Sequence, residues 1–226
     1  MKDDEELARQ YLSTLGFSSI IHEPDGNVTP DFLVDGRIAV EVRRLNQNEI
    51  TESGKPKGLE VLQFALNNSI REVLASFGPA KNGTCWLVGY RFSRPLPNLT
   101  EIKQKVLEVL TAFRDGLTED REFLIADRLT LNLAPATNAW PDYFVLGGFS
   151  DRNAGGWLEH ELKKNIEICV REKTKKIARA RAKYPEWWLV LIDRIGYGDK
   201  GTISIEHDWN KIILVNPLNP EHGYEL

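Results

Sequence analysis

Apolar residues recur at helical spacing in four stretches of the chain. The first predicts an amphipathic helix over residues 3–15 that ends at Gly16, and its apolar face is formed by Leu7, Ala8, Tyr11, Leu12 and Leu15. The same periodicity predicts longer helices over residues 59–77, 99–113 and 157–183.

Short apolar runs between these helices predict β-strands. They cover residues 32–34, 38–42, 85–92, 129–133, 143–146, 187–193 and 212–215. With no internal repeat and no long linker, the chain is predicted to form one α/β or α+β domain. Its parts would be a core over residues 1–92, an inserted or appended α+β section over 93–156, and a long helix with further strands over 157–226.

Composition and charge exclude several classes of protein. The 226 residues are 42% hydrophobic and 27% charged, which is typical of a globular protein and excludes a collagenous or fully disordered chain. The net charge of −4 argues against a surface that is basic throughout. Two unrelated cysteines favour neither a zinc site nor a disulfide scaffold, and no apolar run reaches membrane-spanning length. We expect a cytoplasmic protein that does not cross a membrane.

The candidate chemistry lies in residues 29–44, where Asp31, Glu41 and Arg43 fall on neighbouring strands. Side chains alternate along a strand, so Glu41 and Arg43 share one face while the apolar residues between them share the other. If Asp31 lies opposite Glu41, all three charged side chains converge on one face. A two-residue turn at Asp35-Gly36 would instead place Asp31 opposite Val40, but it would mix charged and apolar side chains, so we expect the first register.

Two neighbouring carboxylates repel each other and need a cation between them. Because these side chains offer only oxygen atoms as ligands, Mg²⁺ or Mn²⁺ is favoured over zinc. Such an ion suits phosphodiester cleavage, and Arg43 would stabilise charge on the phosphate.

The sequence Pro30-Asp31, followed ten positions later by Glu41-Val42-Arg43, resembles the PD-(D/E)XK nuclease superfamily, which has the restriction-endonuclease-like fold. The resemblance implies an αβββαβ core over residues 3–92, with a mixed central sheet flanked by helices and a C-terminal α/β elaboration. It implies a metal-dependent hydrolase of phosphodiester bonds in bacterial restriction, repair or defence, with Asp31 and Glu41 as the metal ligands. The implied partner is nucleic acid, DNA before RNA, and a homodimer is compatible with it.

Two features of the sequence go beyond this motif or depart from it: a glutamate in the first helix and the arginine at position 43. Some members of the superfamily add a glutamate from the first helix, and the helical wheel selects Glu5, at the edge of the buried stripe, over the solvent-facing Glu6. A preference of acidic residues for a helix N-terminus explains both equally well. Arg43 replaces the motif lysine, and arginine is suited to gripping phosphate rather than to handling protons. Either arginine suffices, or a lysine from another element takes over, or the site binds without cutting.

The long helix supplies candidate cations. Residues 159–183 carry nine Lys or Arg against four Glu. Lys173, Lys176 and Arg179 are the predicted nucleic-acid contacts, through release of counterions from the phosphate backbone. The ordinary alternative is a solvated helix face.

Three hypotheses follow from the sequence. The first is an active nuclease, and the second is an inactive module of the same fold that binds nucleic acid or a partner protein. In the third, Glu41 and Arg43 form a plain surface ion pair.

Overall fold

The computed structural model describes residues 3–51, 54–80, 83–198 and 203–226. Four α-helices are described: α1 (Asp3–Thr14), α2 (Leu59–Ala75), α3 (Leu99–Arg114) and α4 (Leu158–Ile177). The described strands are β1 (Ile20–His22), β2 (Phe32–Val34), β3 (Ile38–Leu45), β4 (Asn48–Ile50), β5 (Pro56–Gly58), β6 (Trp86–Phe92), β7 (Glu122–Ala126), β8 (Leu129–Pro135), β9 (Phe144–Asp151), β10 (Glu186–Asp193), β11 (Lys211–Val215) and β12 (Gly223–Glu225). A short 3₁₀ turn, Arg181–Lys183, follows α4. The α+β class predicted from the sequence is confirmed.

The chain divides into two compact units. Unit 1 combines Met1–Gly58 with Gly155–Leu226, and unit 2 is the continuous segment Leu59–Ala154. Unit 2 therefore interrupts the sequence of unit 1. No helix in the described ranges is both long and apolar enough to cross a membrane.

Unit 1 is built on a mixed six-stranded sheet with the order β1-β2-β3-β10-β11-β12. The first three strands pair antiparallel, and β3 and β10 pair in parallel along their whole length, from Ile38 with Glu186 to Leu45 with Asp193. The continuous burial of β10 after its first residue is typical of a central strand covered on both faces.

Each face of this sheet carries its own apolar core. On one face α1 packs Ala8, Tyr11 and Leu12 against alternate residues of β2, β3, β10 and β11. On the other face α4 packs Leu162, Ile166 and Cys169 against the intervening residues of β3, β10 and β11. The side chains of β3 that face α4 therefore lie between a sheet and a helix.

Unit 2 has a four-stranded sheet with the order β7-β8-β6-β9. Helices α2 and α3 share one core with alternate residues of β6 and β8. A buried Arg94 bonds both Asp151 (2.7 Å) and the carbonyl of Leu59 (2.6 Å).

The predicted core over residues 1–92 differs from this division. Strand β6, which was predicted to complete that core, pairs in the sheet of unit 2, and the strand beside β3 is β10. Residues 93–154 of the predicted α+β section belong to unit 2, which begins earlier, at Leu59, and its last two residues, 155–156, belong to unit 1. The sequence predicts a strand soon after a helix both at residues 85–92 and at residues 187–193, and periodicity does not say which of these two strands pairs with β3. The two strands differ in burial. Along β6, more buried and more exposed residues alternate and Arg91 is exposed, whereas every residue of β10 after Glu186 is buried.

Candidate active site

The hairpin of β2 and β3 adopts the register expected from hydrophobic patterning. Phe32 pairs with Val40 and Val34 with Ile38, so Asp31 is next in line opposite Glu41. Three residues, 35–37, form the turn, and Asp35 and Gly36 both have positive φ. The alternative of a two-residue turn is wrong, because burying Phe32 and Val34 beside Val40 outweighs the preference of Asp-Gly for the shorter turn.

The two carboxylates are held in different ways. Asp31 lies just before β2, and its Oδ2 accepts a hydrogen bond from the backbone N–H of Val42 at 2.7 Å. Glu41 lies in the middle of β3 on the face covered by α4 and is fully buried. The hydroxyl of Thr29 donates a hydrogen bond to its Oε1.

Two lysines from α4 bind both carboxylates. Lys173 Nζ lies 2.5 Å from Glu41 Oε2 and 3.5 Å from Asp31 Oδ2. Lys176 Nζ lies 2.8 Å from Glu41 Oε2 and 3.7 Å from Asp31 Oδ1. The spacing of three residues places both lysines on one helix face. We call these four side chains, Asp31, Glu41, Lys173 and Lys176, the carboxylate–lysine cluster.

The electrostatics of the cluster favour its charged form. Burial alone would raise the pKa of Glu41, but the charge of Lys173 and the hydrogen bonds from both lysines and Thr29 outweigh it and lower that pKa. Burial alone would lower the pKa of Lys176, but its hydrogen bond to Glu41 and the charges of both carboxylates raise it. Two carboxylates and two ammonium groups make the cluster neutral.

The lysines differ in their access to solvent. The Lys173 side chain is 12% exposed and that of Lys176 is 44% exposed. Lys176 is therefore the lysine that solvent and ligands reach more easily.

Arg43 occupies the motif position of the lysine but binds elsewhere. Its guanidinium pairs with Glu172 of α4 at 3.2 Å, and both side chains are more than one third exposed. Of the alternatives that Arg43 left open, the geometry matches the one in which lysines from another element reach the carboxylates. Arg179, the third predicted nucleic-acid contact, is exposed beyond the end of α4.

Glu5 lies on α1, which covers the opposite face of the sheet. It is largely buried, as the helical wheel predicted, while Glu6 bonds Arg9 at the surface. Glu5 Oε2 lies 3.2 Å from His22 Nε2, and His22 pairs with Phe32 in the register of β1 and β2. Among the described residues, no group of three or more His, Cys, Asp or Glu is placed to hold a metal ion. Glu5 is thus not grouped with Asp31 and Glu41.

Thr29 was not predicted as a residue of the site. It lies in the turn-rich loop before β2, where no periodicity distinguishes one hydroxyl from its neighbours. Lys173 and Lys176 were predicted from their charge as nucleic-acid contacts, and their i, i+3 spacing on a helix that precedes a buried strand is the signal for their position in the cluster.

Comparison of the chain with models of known families, with characterised proteins and with solved structures finds no match.

Proposed function

We propose that this protein is a metal-dependent nuclease in which Asp31 and Glu41 bind Mg²⁺ or Mn²⁺ and Lys173 takes the part of the motif lysine. The observation that carries the proposal is the position of the Lys173 ammonium, within 3.5 Å of both carboxylates. The site therefore contains the two carboxylates and the lysine of the motif, with the lysine supplied by α4 instead of position 43.

The connectivity of unit 1 supports the same proposal. Its elements α1, β1, β2, β3, α4 and β10 follow one another in the order αβββαβ once the segment of unit 2 and the small β4-β5 hairpin are set aside. This order is similar to that of the superfamily core, with α4 and β10 in the places that the sequence assigned to α2 and β6. The second half of the core would then come from the C-terminal part of the chain.

The donor set fits a hard divalent cation. Two carboxylates are enough for Mg²⁺, which keeps several waters and is completed by substrate phosphate. Asp31 is oriented by the N–H of Val42 through Oδ2, and its Oδ1 faces the ammonium of Lys176 at 3.7 Å, whose place a metal ion would take. A bound divalent ion would polarise a phosphodiester and lower the pKa of a water molecule.

The residues of the cluster have separable roles in this proposal. Lys173 is held by Glu41 and presents its remaining N–H donors to a water molecule or a phosphate oxygen. The neutral cluster becomes net positive when it gains a dication, so it attracts the anionic backbone of a nucleic acid. Arg43 neutralises Glu172 and would not replace Lys173.

A second candidate is the inactive binding module, which one observation favours. Both carboxylates already have ammonium partners, so the cluster is electrically balanced without a metal ion. In that case the lysines would replace the ion rather than assist it.

The test is cleavage of single-stranded and duplex DNA and RNA with Mg²⁺ or Mn²⁺ by the whole chain. We expect activity in the wild type, loss of it in Asp31→Asn and Lys173→Gln, and no change in Lys163→Gln, an exposed lysine of the same helix. Cleavage retained by Asp31→Asn would exclude this site. Absence of both cleavage and Mn²⁺ binding in the wild type would favour the binding module.

A further inference from the structure

Unit 1 contains a second cationic feature, a pocket between the β4-β5 hairpin and α4. Its volume is about 530 Å³, which lies in the range of sites for small ligands. Its lining residues are Ile50, Gly54, Lys55, Pro56, Arg171, Glu172 and Lys175. We call it the hairpin pocket.

Cations outnumber carboxylates among the described residues that line the hairpin pocket. Lys55, Arg171 and Lys175 contribute three cations, and Glu172 is already paired with Arg43. None of the three cations forms an ion pair with any residue that the structure describes. By contrast, other cations of unit 1, such as Arg37 and Lys211, have carboxylate partners. Unpaired cations that converge on a pocket suit an anionic ligand.

The remaining lining adds an apolar wall. The Ile50 side chain is 55% exposed, and Pro56 pairs with it in the register of the hairpin. A nucleotide offers both a phosphate for the cations and a sugar and base for such an apolar surface. A small inorganic anion would use the cations only.

The hairpin pocket and the carboxylate–lysine cluster are both formed in part by helix α4. Glu172 lines the pocket, and the next residue, Lys173, binds Glu41. Arg171 and Lys175 are one helical turn apart and form a row on the exposed face of α4. At about 100° per residue, this row is turned by about 150° from the row of Lys173 and Lys176, so the two rows lie on different faces of the helix.

We propose that the hairpin pocket binds a nucleotide of the nucleic-acid strand that the carboxylate–lysine cluster is proposed to cleave. The choice of nucleic acid as ligand rests on the proposed function. The pocket itself needs neither metal nor cleavage to bind a strand, so the two proposals can fail separately.

The experiment measures binding of a fluorescent single-stranded DNA to the whole chain by anisotropy, with EDTA present and over a series of salt concentrations. Each phosphate contact with a single strand contributes about 0.7 to the slope of log K against log salt. We expect the slope of Arg171→Gln/Lys175→Gln to be smaller by about 1.4 and that of Lys55→Gln by about 0.7.

The matched control is Lys163→Gln/Lys164→Gln, which removes the same charge from the same helix at a distance from the pocket in sequence. We expect its slope to equal that of the wild type. An equal loss in both double variants would show diffuse attraction to the helix and overturn the inference, and so would an unchanged slope in Arg171→Gln/Lys175→Gln. If the wild type and the variants bind DNA with the expected slopes but the wild type cleaves no nucleic acid, the proposal for the hairpin pocket is supported and the proposed nuclease function is rejected.

Discussion

Substitution of Lys176 by methionine should strengthen metal binding. In the carboxylate–lysine cluster, a dication at Asp31 and Glu41 must displace one ammonium group, and Lys176 is the more exposed of the two. Methionine keeps the length of the aliphatic stem and removes the charge, so the carboxylates no longer have to release Lys176 when the cation binds.

The size of this effect follows from the contacts of Lys176. A hydrogen bond that involves a charged group contributes about 1.5 to 3 kcal/mol, and partial exposure of Lys176 reduces this to about 1 kcal/mol. Because about 1.4 kcal/mol corresponds to a factor of ten, the Kd for Mn²⁺ should fall roughly fivefold in Lys176→Met.

Isothermal titration with Mn²⁺ measures this change directly. Lys163→Met is the matched control, since its side chain is exposed on the same helix, and its Kd should equal that of the wild type. An unchanged or weaker affinity in Lys176→Met would refute competition between this lysine and the metal ion. A gain of the same size in the control would attribute the effect to net charge alone.

Three further predictions concern the stability of unit 1. Glu41→Gln leaves Lys173 without its nearest counter-charge. It should lower the free energy of unfolding, measured in urea, by about 3 kcal/mol. A variant as stable as the wild type would show that the buried pair contributes nothing. Because the folded-state pKa of Glu41 is lowered, its contribution is complete above the ordinary value of 4.5 and is lost as the pH falls through the lower folded value. The urea midpoint of the wild type should therefore fall more steeply below pH 4.5 than that of Glu41→Gln, and parallel curves would contradict this. Asn165→Leu removes the buried acceptor of two hydrogen bonds from Asn48. It should lower the free energy of unfolding in the same urea assay by about 1 to 3 kcal/mol. The exposed control Lys163→Leu should not show this loss.

Local patterns predicted most elements of the fold but not their assembly. Helices α1, α2 and α3 begin where the periodicity begins, because one face of each must be buried. Three to five residues are too few to show a period, so β1, β4, β5, β7 and β12 escaped prediction, whereas the equally short β2 and β11 were predicted from continuous apolar runs. The pairing of β3 with β10 could not be predicted for another reason, because strands that are distant in sequence leave no local signal of their pairing.

The candidate site, too, was predicted only in part from the sequence. The register that sets Asp31 beside Glu41 could be derived from the sequence, because a slip of one residue would place charged side chains in the apolar core. The identity of the cations could not be derived, because it depends on how α4 is rotated against β3. Glu5 was correctly placed at the buried edge of its helix, but a helical wheel does not reveal which face of the sheet that helix covers.

The parallel contact of β3 with β10 also constrains the order in which the chain can fold during synthesis. When β3 leaves the ribosome, the strand that covers its edge has not been made, and the whole of unit 2 emerges before it. Until then, β3 presents an open row of backbone donors and acceptors flanked by valine and isoleucine, which is the kind of edge that recruits foreign strands. Glu41, Arg43 and Arg44 place charged side chains in that strand, so Glu41, which is proposed to serve the site, should also help to keep the nascent chain from aggregating before β10 exists to cover the edge.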